Sequence, residues 1–77
     1  MLAVQCKMAR SAVGWGVRDL AQKASVSTNT VARLERGETL KQSTVDVLRA
    51  VLEAAGVEFI EQNGGGPGVR LKAAPPG

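Results

Sequence analysis

The densest set of side chains able to make directional contacts lies within residues 27–33: Ser27, Thr28, Asn29, Thr30, Ala32 and Arg33. The chemistry these types share is recognition by hydrogen bonding, not bond making. An arginine can bond both acceptors of guanine, an asparagine can bond adenine through two hydrogen bonds, and a threonine can donate, accept or touch a thymine methyl. Ala32 offers a methyl group for the same apolar contact. Asn29 and Arg33 are four residues apart, so on a helix they project from one face about a turn apart. An ordinary solvated helix face has the same composition, so the surrounding elements must decide between the two.

Bond-making chemistry finds little support. The chain contains no histidine and has no evident nucleophile–base pair or carboxylate dyad, so it is not expected to be an enzyme. Cys6 is the single cysteine, which excludes an intrachain disulfide and, without histidine, a zinc cluster; neither metal nor cofactor is expected. Gly64-Gly65-Gly66-Pro67-Gly68 lacks the Lys-Ser/Thr and the following helix of a phosphate-binding loop.

The elements that must position residues 27–33 are legible as a series of short helices. Leu2, Cys6, Ala9 and Val13 recur at spacings of four, three and four, predicting a helix over 2–13 with these residues inward and Cys6 in the core. Gly14-Trp15-Gly16 breaks it, Trp15 being read as a filler beside this loop. A second short helix follows, with Gly16 as its cap and Leu20, Ala21 and Ala24 as its apolar stripe. Ser25-Val26-Ser27 makes a tight turn, and Ser27 caps a third helix that runs to Arg36, buries Val31 and Leu34, and stops at Gly37. Ser43-Thr44-Val45-Asp46 reads as a capping box opening a fourth helix to about residue 55, with Val45, Leu48, Val51, Leu52 and Ala55 inward and Gly56 as its stop.

Beyond Gly56 the pattern changes to β-branched and aromatic residues over 57–61 and to strict alternation over 69–72. Residues 63–68, glycine-rich with one proline, predict the turn of a hairpin; the alternative is one strand and a disordered tail. The expected organisation is a DNA-binding unit over 1–56, a β-element over 57–72 that serves dimerisation, and a flexible tail over 73–77.

Length and charge agree with this division. The chain has 77 residues, enough for one domain with a thin core, so a second copy is the expected source of added stability. The net charge is +3, unevenly spread: eight basic residues face four acidic ones up to Arg49, and three acidic face two basic thereafter. A basic front half suits a polyanion. No apolar run approaches the roughly 18 residues of a membrane span, and no membrane partner is expected. The unpaired thiol and the lack of a secretion signal give a cytoplasmic location as the expectation.

The segment Arg18-Asp19-Leu20-Ala21-Gln22-Lys23-Ala24-Ser25-Val26-Ser27-Thr28-Asn29-Thr30-Val31-Ala32-Arg33-Leu34-Glu35-Arg36-Gly37 resembles the Cro/C1-type, or xenobiotic-response-element, helix-turn-helix of phage and bacterial repressors. The Leu20-Ala21 pair, the Val26-Ser27 pair before the third helix and the closing Leu34-Glu35-Arg36-Gly37 stand at that family's spacing, and the resemblance covers about residues 6–55. It implies a mainly α, lambda-repressor-like bundle of four or five helices that places the third helix in the major groove of double-stranded DNA. On that basis Ser27, Thr28, Asn29, Ala32 and Arg33 are the base-contact candidates. Val17 (through its backbone), Arg18, Arg36, Lys41 and Gln42 are the phosphate-contact candidates. The resemblance also implies a structural ion pair between Arg10 and Glu35.

Two departures stand out. Relatives often carry Gln where this chain has Val17, so only a backbone contact carries over there. A short fifth helix is replaced by strand-like sequence, four helices with a C-terminal β-hairpin or strand, resembling the β-element through which some relatives dimerise. Val57, Phe59, Ile60, Val69 and Leu71 are the expected interface residues of that homodimer. The expected function is therefore a dimeric, DNA-binding transcriptional repressor. The alternative is a protein-interaction module of the same fold, an antitoxin or anti-activator whose partner is a toxin or another regulator.

Overall fold

A computed structural model of the chain describes residues 1–61 and 64–72. The tail over 73–77, Gln62, and Asn63 of the expected hairpin turn lie outside the described residues. Four helices, α1 (Ala3–Ala12), α2 (Val17–Ala24), α3 (Thr28–Glu35) and α4 (Gln42–Ala54), precede two strands, β1 (Val57–Ile60) and β2 (Gly68–Leu71). The strands pair antiparallel, Val57 opposite Leu71 and Phe59 opposite Val69 on one face, Glu58 opposite Arg70 and Ile60 opposite Gly68 on the other. The fold is mainly helical with a short hairpin, as the spacing predicts.

One core joins all of these elements. Leu20 from α2, Val31 from α3, Leu48 and Leu52 from α4, and Cys6 and Ala9 from α1 are fully buried in it. Each large aliphatic among them contributes about 1.5–3 kcal/mol by leaving water. Ala21, 2% exposed, is buried on the inner face of α2 beside Leu20 and Ala24. Val57 and Phe59 of β1 are buried in the same cluster, and Val69 of β2 packs against it. Residue 56 therefore marks a change of element and not the edge of a core.

The helix ends explain the turns. At the close of α2, Ser25 adopts φ +56°, ψ +41°, the left-handed region that L residues other than Gly, Asn and Asp seldom enter. Its N–H donates to Gln22 O (3.2 Å) and that of Val26 to Ala21 O (2.9 Å), so the polypeptide reverses within two residues and Val26 tucks back over Ala21. Ser27 then starts α3, its hydroxyl accepting from the Thr30 N–H at 3.1 Å.

Three local expectations are corrected. Leu2 is 49% exposed and lies before α1; its place in the stripe is taken by Gln5, 5% exposed, whose amide binds the chain in three places. Gln5 Oε1 accepts from Leu2 N (2.8 Å), while Nε2 donates to Ile60 O (3.0 Å) and Gly68 O (3.1 Å). The capping box at Ser43 does not form: α4 begins two residues earlier than that box requires, with Lys41 as its cap, and Asp46 instead accepts from Gln42 Nε2 at 2.9 Å. Ala55, expected on the inner face of α4, is an exposed cap residue after the helix has ended.

Candidate nucleic-acid interface

α3 buries Val31 and Leu34, turns Glu35 back toward α1, and presents Thr28, Asn29, Ala32 and Arg33 on its outer side. Thr28 and Asn29 are exposed and Ala32 and Arg33 half-buried, along one side of two helical turns. Thr28 and Asn29 have no side-chain hydrogen bond among the described residues, so their polar groups face solvent ready for a partner. Ser27 differs: its hydroxyl caps Thr30 N and also bonds Thr30 Oγ1 at 2.8 Å. It holds the start of the helix, and its capacity for a base contact is correspondingly reduced.

The pose of α3 is fixed from behind by a charged network. Arg10 Nε donates to Glu35 Oε2 (2.9 Å) and Arg10 Nη2 to Glu35 Oε1 (3.0 Å), a two-pronged pair linking α1 to α3. Arg10 Nη1 donates to the Trp15 carbonyl at 3.0 Å, which ties in the α1–α2 loop. The side chains are only 15% and 10% exposed. The pair holds the Arg10 pKa above its ordinary value, chiefly through the hydrogen bonds to Glu35. The Cys6 thiol donates to Glu35 Oε2 at 3.5 Å; burial foremost, then the Glu35 charge, pushes its pKa up to about 12. Trp15 lies half-buried against the core, with Lys23 Nζ 5.1 Å from its ring centre.

The phosphate-contact candidates cluster at helix starts and in the α3–α4 loop. At α2 the Gly16 N–H is taken by Asp19 Oδ2 (2.8 Å), which leaves the N–H groups of Val17, Arg18 and Asp19 as the unpaired donors of the first turn. The Val17 side chain packs against the core. Lys41 and Gln42 are exposed at the start of α4, where the helix dipole adds positive potential. Between α3 and α4 lies a cleft of about 320 Å³ lined by Thr30, Arg33, Thr39, Leu40, Lys41 and Thr44. It joins a base-contact candidate to a phosphate-contact candidate, and Thr39, the threonine of its lining that lies in the loop, has no signal in the sequence because no periodicity marks a loop.

Glu38 is the other residue that sequence reasoning missed. Its Oε1 accepts from Arg33 Nε (3.1 Å), and its Oε2 accepts from Arg36 Nε (3.1 Å) and Nη2 (2.8 Å). The two guanidiniums, Arg36 foremost, hold its carboxyl below the usual carboxylate range. Arg36 is thus engaged within the protein.

The residues expected at a subunit interface separate. Val57 and Phe59 belong to the chain's own core and Val69 packs against it, while Ile60 (38%) and Leu71 (51%) are exposed. Arg70 and Glu58 pair across the outer face of the hairpin at 2.7 Å.

Two short helices set by a tight turn, the second with a polar outer face beside a basic cleft, define a helix-turn-helix protein. A family model described as a helix-turn-helix domain matches residues 2–60, and the chain belongs to that family, consistent with the Cro/C1-type resemblance of residues 18–37. No curated protein matches the chain. Among the described residues no group of three or more His, Cys, Asp or Glu could hold a metal, and no helix is long and apolar enough to cross a membrane.

Proposed function

We propose that the protein is a sequence-specific transcriptional regulator, a dimeric repressor whose α3 reads base edges in the major groove of a palindromic operator. The observation that carries this reading is the outer side of α3, where Thr28, Asn29, Ala32 and Arg33 stand exposed or half-buried beside the Arg33–Lys41 cleft. In this reading Asn29 and Arg33 bond bases, and Ala32 and Thr28 supply apolar or single hydrogen-bond contacts. The N-terminal backbone of α2 at Val17, with Arg18, Lys41 and Gln42, anchors phosphates on either side. Ser27 acts mainly by fixing the start of α3, and Arg36 through its charge.

Dimerisation is supported by the exposed Ile60 and Leu71 on a two-stranded hairpin, since such a sheet leaves edges for a second copy to cover. A twofold dimer would set two α3 helices about one turn of DNA, roughly 10 bp, apart. The interaction-module reading has no comparable observation behind it.

The test is binding to the DNA upstream of the protein's own gene, and to shuffled duplex, between about 50 and 200 mM salt. The expected result is a preference for the upstream fragment with two protomers per site. Affinity should fall with salt at a log–log slope of about −0.9 per phosphate contacted. Arg33→Ala should cost roughly 1–3 kcal/mol on that fragment, whereas Lys41→Ala should weaken every sequence alike. Equal, weak binding to both duplexes would remove self-repression from the proposal; unchanged selectivity in Arg33→Ala would remove α3 as the reading element.

A further inference from the structure

The turn that ends α3 puts an acidic residue, Glu38, on the surface proposed to face DNA, where its charge opposes binding. Gly37 takes φ +88°, and its N–H donates to Leu34 O at 2.9 Å while the Glu38 N–H reaches back to Arg33 O at 3.0 Å. This left-handed closing turn, which glycine enters without strain, always brings the residue after the glycine back over the residue five places earlier. An apolar contact commonly forms at that point. Here the two residues are Arg33 and Glu38, and they form an ion pair instead, Nε to Oε1 at 3.1 Å.

The manner of pairing matters more than its existence. Arg36 spends both Nε and Nη2 on Glu38, but Arg33 spends Nε alone. Both terminal amino groups of Arg33 are left without a hydrogen-bond partner among the described residues. A guanidinium held by Nε presents these two parallel donors end-on, the geometry that matches the N7 and O6 acceptors of guanine. A free arginine would sample many rotamers and could equally turn to a phosphate.

We infer that Glu38 is a positioning residue for specificity: it orients Arg33 for end-on readout of a guanine and diverts it from the phosphate backbone. The inference rests on the proposed DNA-reading role of α3. It makes Glu38 a residue that weakens binding to DNA in general, by placing a negative charge at the interface, while sharpening the choice at one base pair.

The experiment begins with selection of preferred duplexes from a random pool by the wild-type protein. Binding of wild type, Arg33→Ala and Glu38→Ala is then measured on the selected duplex, on its single-base variants and on random duplex. Thermal melting confirms that each variant is folded. Glu38→Ala is expected to bind random duplex about three- to tenfold more tightly, because one repelling charge is gone. It should lose about two- to fivefold in discrimination at the base pair where Arg33→Ala also loses it, and nowhere else. Discrimination retained at that base pair overturns the inference, and so does a uniform loss at every position, which would mark Glu38 as a support for the end of α3. Wild-type protein that selects no duplex would instead overturn the DNA-reading role itself, before any variant is compared.

Discussion

Replacing one member of the Arg10–Glu35 pair should be among the most damaging single substitutions away from the aliphatic core. Glu35→Ala removes both acceptor oxygens of a two-pronged pair and leaves Arg10, 15% exposed, with the Trp15 carbonyl as its remaining partner. An enclosed charge stripped of its partner costs about 3–5 kcal/mol when burial is complete. The residual exposure of this pair lets water in and brings the expected loss to roughly 2–4 kcal/mol. For a domain of this size each kcal/mol shifts the melting temperature by about 4–8 °C, so the midpoint should drop by more than about 8 °C. Glu53→Ala, which removes an exposed partner of Arg49, should change it by no more than about 0.5 kcal/mol. The double replacement Arg10→Met with Glu35→Leu should recover most of the loss, because desolvation of two charges is then no longer required. Urea denaturation of the four proteins completes the comparison. A Glu35→Ala loss no larger than that of Glu53→Ala, or a double variant no more stable than Glu35→Ala, would refute the claim that enclosure makes this pair matter.

Three other substitutions probe the frame. Gln5→Leu strands the Leu2 N–H and the Ile60 and Gly68 carbonyls and should destabilise by about 1–3 kcal/mol, with the hairpin amides losing hydrogen-exchange protection first. Ser25→Gly relieves a left-handed residue and should leave stability equal or raise it by up to about 1 kcal/mol in a denaturant titration. For Cys6, both folded and unfolded chains hold the thiol proton below pH 9.0; between there and about 12 the unfolded chain releases a proton that the folded one keeps. Wild-type stability should therefore fall with rising pH in that window more steeply than that of Cys6→Ala, and parallel curves would contradict the burial argument.

What was legible in the sequence was local. Ser27 as a cap, Gly37 as a stop and the Leu20/Ala21/Ala24 stripe each act through neighbours within a turn or two, so the residue types alone delimit α2 and α3. The strands could be read because β-branched and alternating residues flank a run that no helix tolerates. What was hidden depends on contacts distant in sequence or on backbone geometry. Gln5 looks like a surface residue until the hairpin, more than fifty positions later, supplies its carbonyl partners. Glu38 looks like a solvated charge until the left-handed turn at Gly37 folds it over Arg33. The cap of α4 was misread because Asp46 has a nearer donor in Gln42. Val57 and Phe59 were read as exposed strand residues because a short sequence does not reveal that α1 and α4 already cover one face of the hairpin.

The reading role of α3 is tested most directly by nuclear magnetic resonance of the labelled protein titrated with a selected duplex. Shifts confined to residues 27–33 and to the starts of α2 and α4, with the Arg33 side chain among the most affected, are the predicted result. Shifts centred on α1 and the hairpin with α3 unmoved, or no saturable shift at all, would contradict it.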